Sequence, residues 1–172
     1  PVIWRGPMVS GAVMQLLSQT NWGELDYLIV DTPPGTGDVQ LTLLQRIPLT
    51  TSIVVTTPQK VAISDCKKGI EMINKLNIPI SGLIENMSWF KPDHSDKKYY
   101  LFGKDGGKDL SVEYSLDLLA QLPLVELSEE DNIQNNPILK KEFVNISDKL
   151  AVSIKHLKEK KSTGIPQINI TQ

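Results

Sequence analysis

The chain has 172 residues, of which 40% are hydrophobic and 22% charged, and its formal net charge is −2 at pH 7. This composition is typical of a soluble globular domain with a real core, and the small negative charge argues against a general nucleic-acid surface. No apolar stretch approaches the roughly 20 residues needed to cross a bilayer, no secretory leader is evident, and the single Cys66 fits a reducing cytoplasm.

Apolar periodicity predicts an alternation of helices and strands along the chain. The predicted elements are a helix from Ser10 to about 18, a strand at 27–31, a helix from Asp38 to about 45, a strand at 52–57, a helix at 61–76, a strand at 80–85, a polar loop at 88–100, a helix from about 107, a strand at 118–122 and a helix from 137 to about 160. Ser10 and Asp38 are predicted N-caps. Strands separated by helices indicate an α/β fold, a three-layer, mainly parallel sheet flanked by helices over residues 1–160, with a polar tail at 161–172.

One motif joins a predicted strand end to a stiff, glycine-containing turn. Tyr27–Val30 are apolar, as in a strand buried on both faces of a parallel sheet, and the strand ends in Asp31, at the edge where such sheets bind ligands. The turn 32–37 contains two prolines and two glycines, and glycine lets backbone N–H groups approach an anion. An Asp in this place can hold the water shell of Mg²⁺ beside a nucleoside triphosphate. The alternative is an ordinary hydrogen-bonded Asp turn.

The complete string 31–38 resembles the signature of the Mrp (ApbC) family of P-loop ATPases, which are iron–sulfur cluster carriers related to the MinD/ParA group. Further segments match the family in the same order: 3–8, 26–43, 54–59, 82–88, 101–107 and 122–124. The resemblance implies a P-loop NTPase fold with ATP and Mg²⁺ as cofactors. It also implies a cytoplasmic homodimer that serves iron–sulfur apo-protein clients and needs neither nucleic acid nor a membrane.

The resemblance also implies the residues of a nucleotide site. Asp31 would be the catalytic residue and would hold Mg²⁺ through water. The residues that would bind the nucleotide are Thr32, Pro33, Gly35, Asn86 and Pro123. Asn86 would read the adenine edge, whereas the bland alternative is an Asn that bonds the following backbone. Leu122–Leu124 would close over the base, and Arg5 would reach a phosphate across the dimer.

The sequence contains no phosphate-binding loop. The nearest pattern, Gly103–Asp109, is one residue too short and places Asp109 where a hydroxyl belongs, so a flexible surface loop is predicted there. In the family the phosphate loop lies upstream of the segment matched by Pro1. We therefore expect the chain to be the carboxyl-terminal two-thirds of a longer protein, inactive alone and an ATP hydrolase once the loop is supplied. The strand that leads into that loop lies in the middle of the resembled sheet, so its loss leaves a central strand unpaired.

The cluster ligands of the family are also missing. The family carries Cys-x-x-Cys, through which two subunits bridge a [4Fe-4S] cluster, and these places fall on Pro92 and Ser95. Proline cannot ligate, and a serine oxygen is a poor substitute for a thiolate. The neighbouring Asp93, His94 and Asp96 are predicted to be solvated, and Cys66 is predicted to be a buried structural thiol. The missing thiolates argue against conventional cluster carriage.

Three functional classes stay open. The first is an Mrp-type ATPase that assists iron–sulfur assembly, in a degenerate form that uses other ligands or acts as a scaffold. The second is a MinD/ParA-like positioning ATPase, for which the basic helix end at 155–161 would supply a membrane or DNA contact. The third is a non-catalytic interaction module, which the missing phosphate loop favours. The string 31–38 favours the first class over the second.

Overall fold

The computed structural model describes residues 6–32, 35, 37–92, 97–125 and 136–163. The elements are α1 (Gly6–Gln19), α2 (Asp38–Arg46), β1 (Ser52–Thr56), α3 (Lys60–Lys75), β2 (Ile80–Glu85), α4 (Gly106–Glu113), β3 (Leu118–Gln121) and α5 (Pro137–Thr163). The three strands form a parallel sheet in the order β1-β2-β3, with helices on both faces. The predicted α/β class is thereby confirmed.

The strand register aligns the carboxyl ends of all three strands. Thr56 of β1 is the partner of Glu85 in β2, and Glu85 is in turn the partner of Gln121 in β3. The central strand β2 is buried at five of its six positions, as expected for a parallel strand covered on both faces. One edge of the sheet therefore collects the loops that follow all three strands.

The core lies in two layers, one on each face of the sheet. The first cluster of buried residues joins α2, α3 and α4 to the sheet and contains Leu44, Val54, Ile70, Ile73, Leu83 and Leu110. The second joins α5 to the sheet and contains Ile84, Leu119, Ala120, Leu122 and Ile146. Neighbouring residues Leu83 and Ile84 belong to different clusters because successive side chains of a strand point to opposite faces.

Most predicted boundaries agree with the structure, but both predicted N-caps are wrong. Helix α1 begins at Gly6, and Ser10 is buried inside it. Pro7 fits the first turn because its missing N–H would have had no intrahelical acceptor. Asp38 is the first residue of α2, whose N-cap is Gly37 with no side-chain cap bond.

Helix α5 continues to Thr163, three residues past its predicted end, and so includes the start of the predicted polar tail. Residues 164–172 lie outside the described residues. In the part of the chain that the structure describes, no helix is both long and apolar enough to cross a membrane.

The predicted strand at 27–31 does not form. The side chain of Ile29 is 90% exposed, and the segment carries no strand pairing. The edge strand of the described sheet, β1, also leaves apolar side chains open, with Ile53 and Val55 exposed by 39% and 57%. A strand is stable only when a neighbour accepts its backbone hydrogen bonds, and none of the described strands pairs with 27–31. The apolar run was identified correctly, but it lacks a partner.

Candidate functional site

The loops after β2 and β3 bring Asn86 and Pro123 together. The backbone N–H of Asn86 donates to the carbonyl of Thr56 (2.7 Å), and the N–H of Leu122 donates to that of Glu85 (2.8 Å). These bonds extend the sheet ladder past the strand ends and fix both loops. Asn86 is half-buried, and Pro123 is buried beside it in sequence register. The structure therefore brings these two predicted residues to one edge.

The side chain of Asn86 makes a local hydrogen bond. Its Oδ1 accepts the N–H of Met87 (2.9 Å), whose φ of 54° places it in the left-handed region. This is the bond expected for an Asn that stabilises the backbone after a strand. A carbonyl oxygen has a second lone pair, and the amide NH₂ has two donors. Asn86 can thus hold its loop and still offer a donor and an acceptor to a ligand.

Glu85 is the functional residue that sequence reasoning missed. It is fully buried, and both oxygens of its carboxylate are hydrogen-bonded. Oε1 accepts the side-chain N–H of Gln121 (2.8 Å), and Oε2 accepts the backbone N–H of Gly107 in the first turn of α4. A helix amino terminus favours a carboxylate, and a buried carboxylate needs such donors. Glu85 therefore joins β2, β3 and α4 directly behind Asn86.

The predicted flexible loop at 103–109 is wrong, because its second half is helical. Gly106 and Gly107 begin α4, and Gly107 is buried. A Cβ on Gly107 would lie 2.8 Å from the Cβ of Glu85, and one on Gly106 would lie 2.7 Å from the carbonyl oxygen of Pro58. These glycines allow a helix to contact a strand and a loop closely. The Gly-Gly pair before a helical pattern was the available signal.

We expect Gly107→Ala to destabilise the protein by about 1–3 kcal/mol, because the added methyl overlaps Glu85. Gly69→Ala is the matched control, since Gly69 lies inside α3 with nothing within 4 Å of its added Cβ. That variant should be neutral or more stable, because alanine is the better helix former. Urea unfolding monitored by circular dichroism measures both. Equal stability of the two variants would contradict the packing described here.

The turn after 27–30 stands apart from this edge. Asp31 and Gly35 are exposed, and Thr32 is half-buried, but Asp31 does not end a strand. Pro33 lies outside the described residues, as do Pro34, Thr36 and Arg5. The structure thus assembles Asn86 and Pro123 and leaves Asp31 outside the sheet. The physical reason is again the missing pairing partner of the segment 27–31.

The predicted absence of cluster ligands concerns the loop between β2 and α4. Pro92 is half-buried, whereas Ser95 with Asp93, His94 and Asp96 lies outside the described residues. Within the described ranges, no group of three or more His, Cys, Asp or Glu side chains is placed to hold a metal ion.

Cys66 was predicted to be buried and is half-buried against the core. Its Sγ lies 3.4 Å from the carbonyl oxygen of Val55, to which it donates a weak hydrogen bond. Burial raises the pKa of this thiol, a hydrogen bond with Thr56 opposes the rise, and the charge of Asp65 adds to it. The thiol form is therefore favoured over the thiolate, which is the form that binds metals and reacts.

Comparison with known proteins extends this geometry. A sequence model of the family described as ParA, NUBPL iron-transfer P-loop NTPase, matches residues 1–158. An iron-sulfur cluster carrier protein of Pseudomonas fragi is 50% identical over 131 residues, which cover 76% of this chain and 46% of that protein. The iron-sulfur cluster transfer protein NUBPL of Mus musculus is 45% identical over 139 residues, 81% of this chain and 44% of that protein.

An iron-sulfur cluster carrier protein of Methanocaldococcus jannaschii is 45% identical over 166 residues, which cover 92% of this chain and 57% of that protein. The chain thus spans about half the length of the curated relatives it matches. Among solved structures, a nucleotide-binding protein of Archaeoglobus fulgidus in complex with ADP has a TM-score of 0.62 at 29% identity. The match covers 81% of this chain and 53% of that chain. The described sheet and helices are part of a P-loop NTPase-like fold.

Proposed function

Because the chain belongs to the Mrp/NUBPL family of iron–sulfur cluster carrier P-loop NTPases, we propose that the whole protein is an ATPase that assists iron–sulfur cluster assembly. The observation that carries this proposal is the meeting of Asn86 and Pro123 at the carboxyl ends of adjacent parallel strands. Ligands of open α/β sheets bind at this edge. The structural relative bound to ADP supports a nucleotide as the ligand.

In this proposal the chain supplies the base end of the site. The amide of Asn86 presents a donor and an acceptor, as the edge of adenine requires, and the buried ring of Pro123 forms an apolar wall beside it. Glu85 holds the strand that carries Asn86 against β3 and α4. The residues present therefore fit the base of a nucleotide.

The phosphate end fits only in part. Asp31 is the proposed ligand to the water shell of Mg²⁺, and the turn 32–37 is the proposed γ-phosphate sensor. The 172 residues contain no phosphate-binding loop, so we place that loop elsewhere in the whole protein. The open edge of β1 and the unpaired run 27–30 support this placement, since a strand between them would cover Ile53 and Val55. Bound ATP and Mg²⁺ would supply the phosphoryl group that is hydrolysed.

The residues present do not fit a conventional bridging cluster. Pro92 stands at one family ligand position, Ser95 at the other, and the thiol of Cys66 is half-buried in α3. We therefore propose a degenerate member of the family that acts on iron–sulfur apo-proteins as a scaffold or with ligands from a partner. The proposed oligomer is a homodimer.

The test uses the chain joined to an amino-terminal segment of a relative that contains the phosphate loop. Asn86→Ala should weaken ATP binding about tenfold, because one base contact is lost, and should leave the affinity for inorganic triphosphate unchanged. Asn74→Ala, at an exposed position of α3, is the matched control and should change neither affinity. Isothermal titration measures both ligands. Equal weakening of ATP and triphosphate would reject the role proposed for Asn86.

A further inference from the structure

The predicted polar loop after β2 is partly ordered as a two-stranded ribbon. Phe90 and Tyr99 exchange two backbone hydrogen bonds of 2.8 Å, and Phe90 also forms a bridge with Leu124. Gly103 contacts the body of the protein, since a Cβ there would lie 3.2 Å from the carbonyl oxygen of Pro58. We call residues 87–92 and 97–104 the lysine–aromatic ribbon. Its backbone is anchored at both ends.

Three lysine side chains of the ribbon lie over aromatic rings of the same ribbon. The ammonium nitrogen is 3.9 Å from the ring centroid of Trp89 for Lys98, 5.1 Å from that of Tyr100 for Lys104, and 5.3 Å from that of Tyr99 for Lys97. The negative face of each ring attracts the cation. These contacts restrict flexible side chains before any partner binds and so reduce the entropy cost of binding.

The ribbon is basic within an acidic protein. It contains four lysines and no acidic residue, and Asp93 and Asp96, which lie between its halves, are outside the described residues. Even with these two aspartates the segment 87–104 is positively charged, whereas the whole chain has a net charge of −2. The ion pairs found in the described ranges involve lysines of α3 instead. Lys98 and Lys104 are both exposed.

Apolar surface accompanies this charge. The side chains of Tyr99 and Tyr100 are each 41% exposed, and that of Leu101 is 60% exposed. We propose that the lysine–aromatic ribbon docks an acidic segment of a partner protein, one that presents Asp and Glu side chains beside apolar residues. Charge complementarity identifies the occupant, and the open tyrosines and Leu101 supply the apolar contact. This proposal is independent of nucleotide binding.

A nucleic acid fits the ribbon less well. Single-stranded nucleic acids bind by stacking bases on aromatic faces, and here the chain's own ammonium groups lie over the faces of Trp89, Tyr99 and Tyr100. A long phosphate backbone would also extend over a chain that carries 20 acidic residues. A short acidic peptide would contact the basic ribbon alone.

The experiment uses the full 172-residue chain and two labelled probes of equal net charge, an acidic peptide of Glu and Leu and a thymidine oligonucleotide. Fluorescence anisotropy at low salt should show tighter binding of the peptide. Lys98→Glu with Lys104→Glu should weaken peptide binding by about tenfold or more, as expected for reversing two contacting charges. The matched control is Lys155→Glu with Lys158→Glu, at exposed positions of α5, which should change the affinity little. Circular dichroism verifies folding, and the milder pair Lys98→Gln with Lys104→Gln serves if the first pair misfolds.

Three outcomes would overturn the proposal. The first is tighter binding of the oligonucleotide than of the peptide, which would make the ribbon a nucleic-acid site. The second is an equal loss in the ribbon and control variants, or no binding at all, which would leave only non-specific attraction. The third is a dimer in sedimentation that the ribbon variant abolishes, since the surface would then be occupied by a second copy.

Discussion

Replacing Glu85 by alanine is expected to lower the free energy of unfolding by about 3–5 kcal/mol. The substitution removes the acceptor of the Gly107 N–H and of the Gln121 side chain, and leaves both donors in a buried place without a partner. It also leaves a cavity behind a side chain that is 0% exposed. Urea unfolding followed by circular dichroism measures the change.

The conservative Glu85→Gln variant separates shape from hydrogen bonding. A glutamine fills the same volume, but its NH₂ group would face either Gly107 or Gln121, both of which donate to Glu85. We expect a smaller loss, about 1–3 kcal/mol, which is the cost of one unmade buried hydrogen bond. Glu71→Ala, at an exposed position of α3, is the control and should change stability little. If Glu85→Ala were as mild as Glu71→Ala, the carboxylate would not join these elements.

A second large effect is expected from restoring thiolates at positions 92 and 95. The unaltered chain should remain colourless after anaerobic reconstitution with iron and sulfide, because a dimer offers only the two Cys66 thiols. Each thiol is half-buried, and burial raises its pKa. Pro92→Cys with Ser95→Cys provides four thiolates per dimer, the number that a [4Fe-4S] cluster requires. The doubly substituted protein should become brown, with broad charge-transfer absorbance and bound iron and sulfide.

Cys66→Ser is the control for both proteins. In the doubly substituted chain it should leave the cluster in place, since Cys66 lies on α3 and bonds to Val55. A cluster in the unaltered chain that disappears with Cys66→Ser would show that the placement of Cys66 is wrong. A cluster there that survives Cys66→Ser would shift attention to His94 or to thiols of a partner.

The sequence was sufficient where the structural signal is local. The 3.6-residue spacing of Ile63, Cys66, Ile70 and Ile73 predicts α3 to within one residue, and the uninterrupted apolar run predicts β2. Because parallel strands align their carboxyl ends, the meeting of Asn86 with Pro123 also follows once the sheet is predicted. These parts of the fold depend on periodicity and on strand direction.

The sequence was insufficient where structure depends on distant partners. The run 27–30 has the composition of a buried strand, yet a strand also needs a neighbour, and composition does not reveal whether one is present. Glu85 likewise looks like the polar end of an apolar run. Its role arises only when folding brings Gly107 and Gln121, 22 and 36 residues away, to its two oxygens. Ser10 has the chemistry of a cap but lies inside α1, which shows that propensity alone does not fix a helix start.

The most direct test of the proposed nucleotide site is a calorimetric titration with MgATP of the 172-residue chain and of the same chain joined to a phosphate-loop segment. The chain alone should show no tight site, because the backbone amides and the lysine that bind phosphates are not within it. The joined protein should bind MgATP, and Asp31→Asn should then reduce hydrolysis more than binding. A micromolar dissociation constant for the chain alone, abolished by Asp31→Ala, would contradict the account.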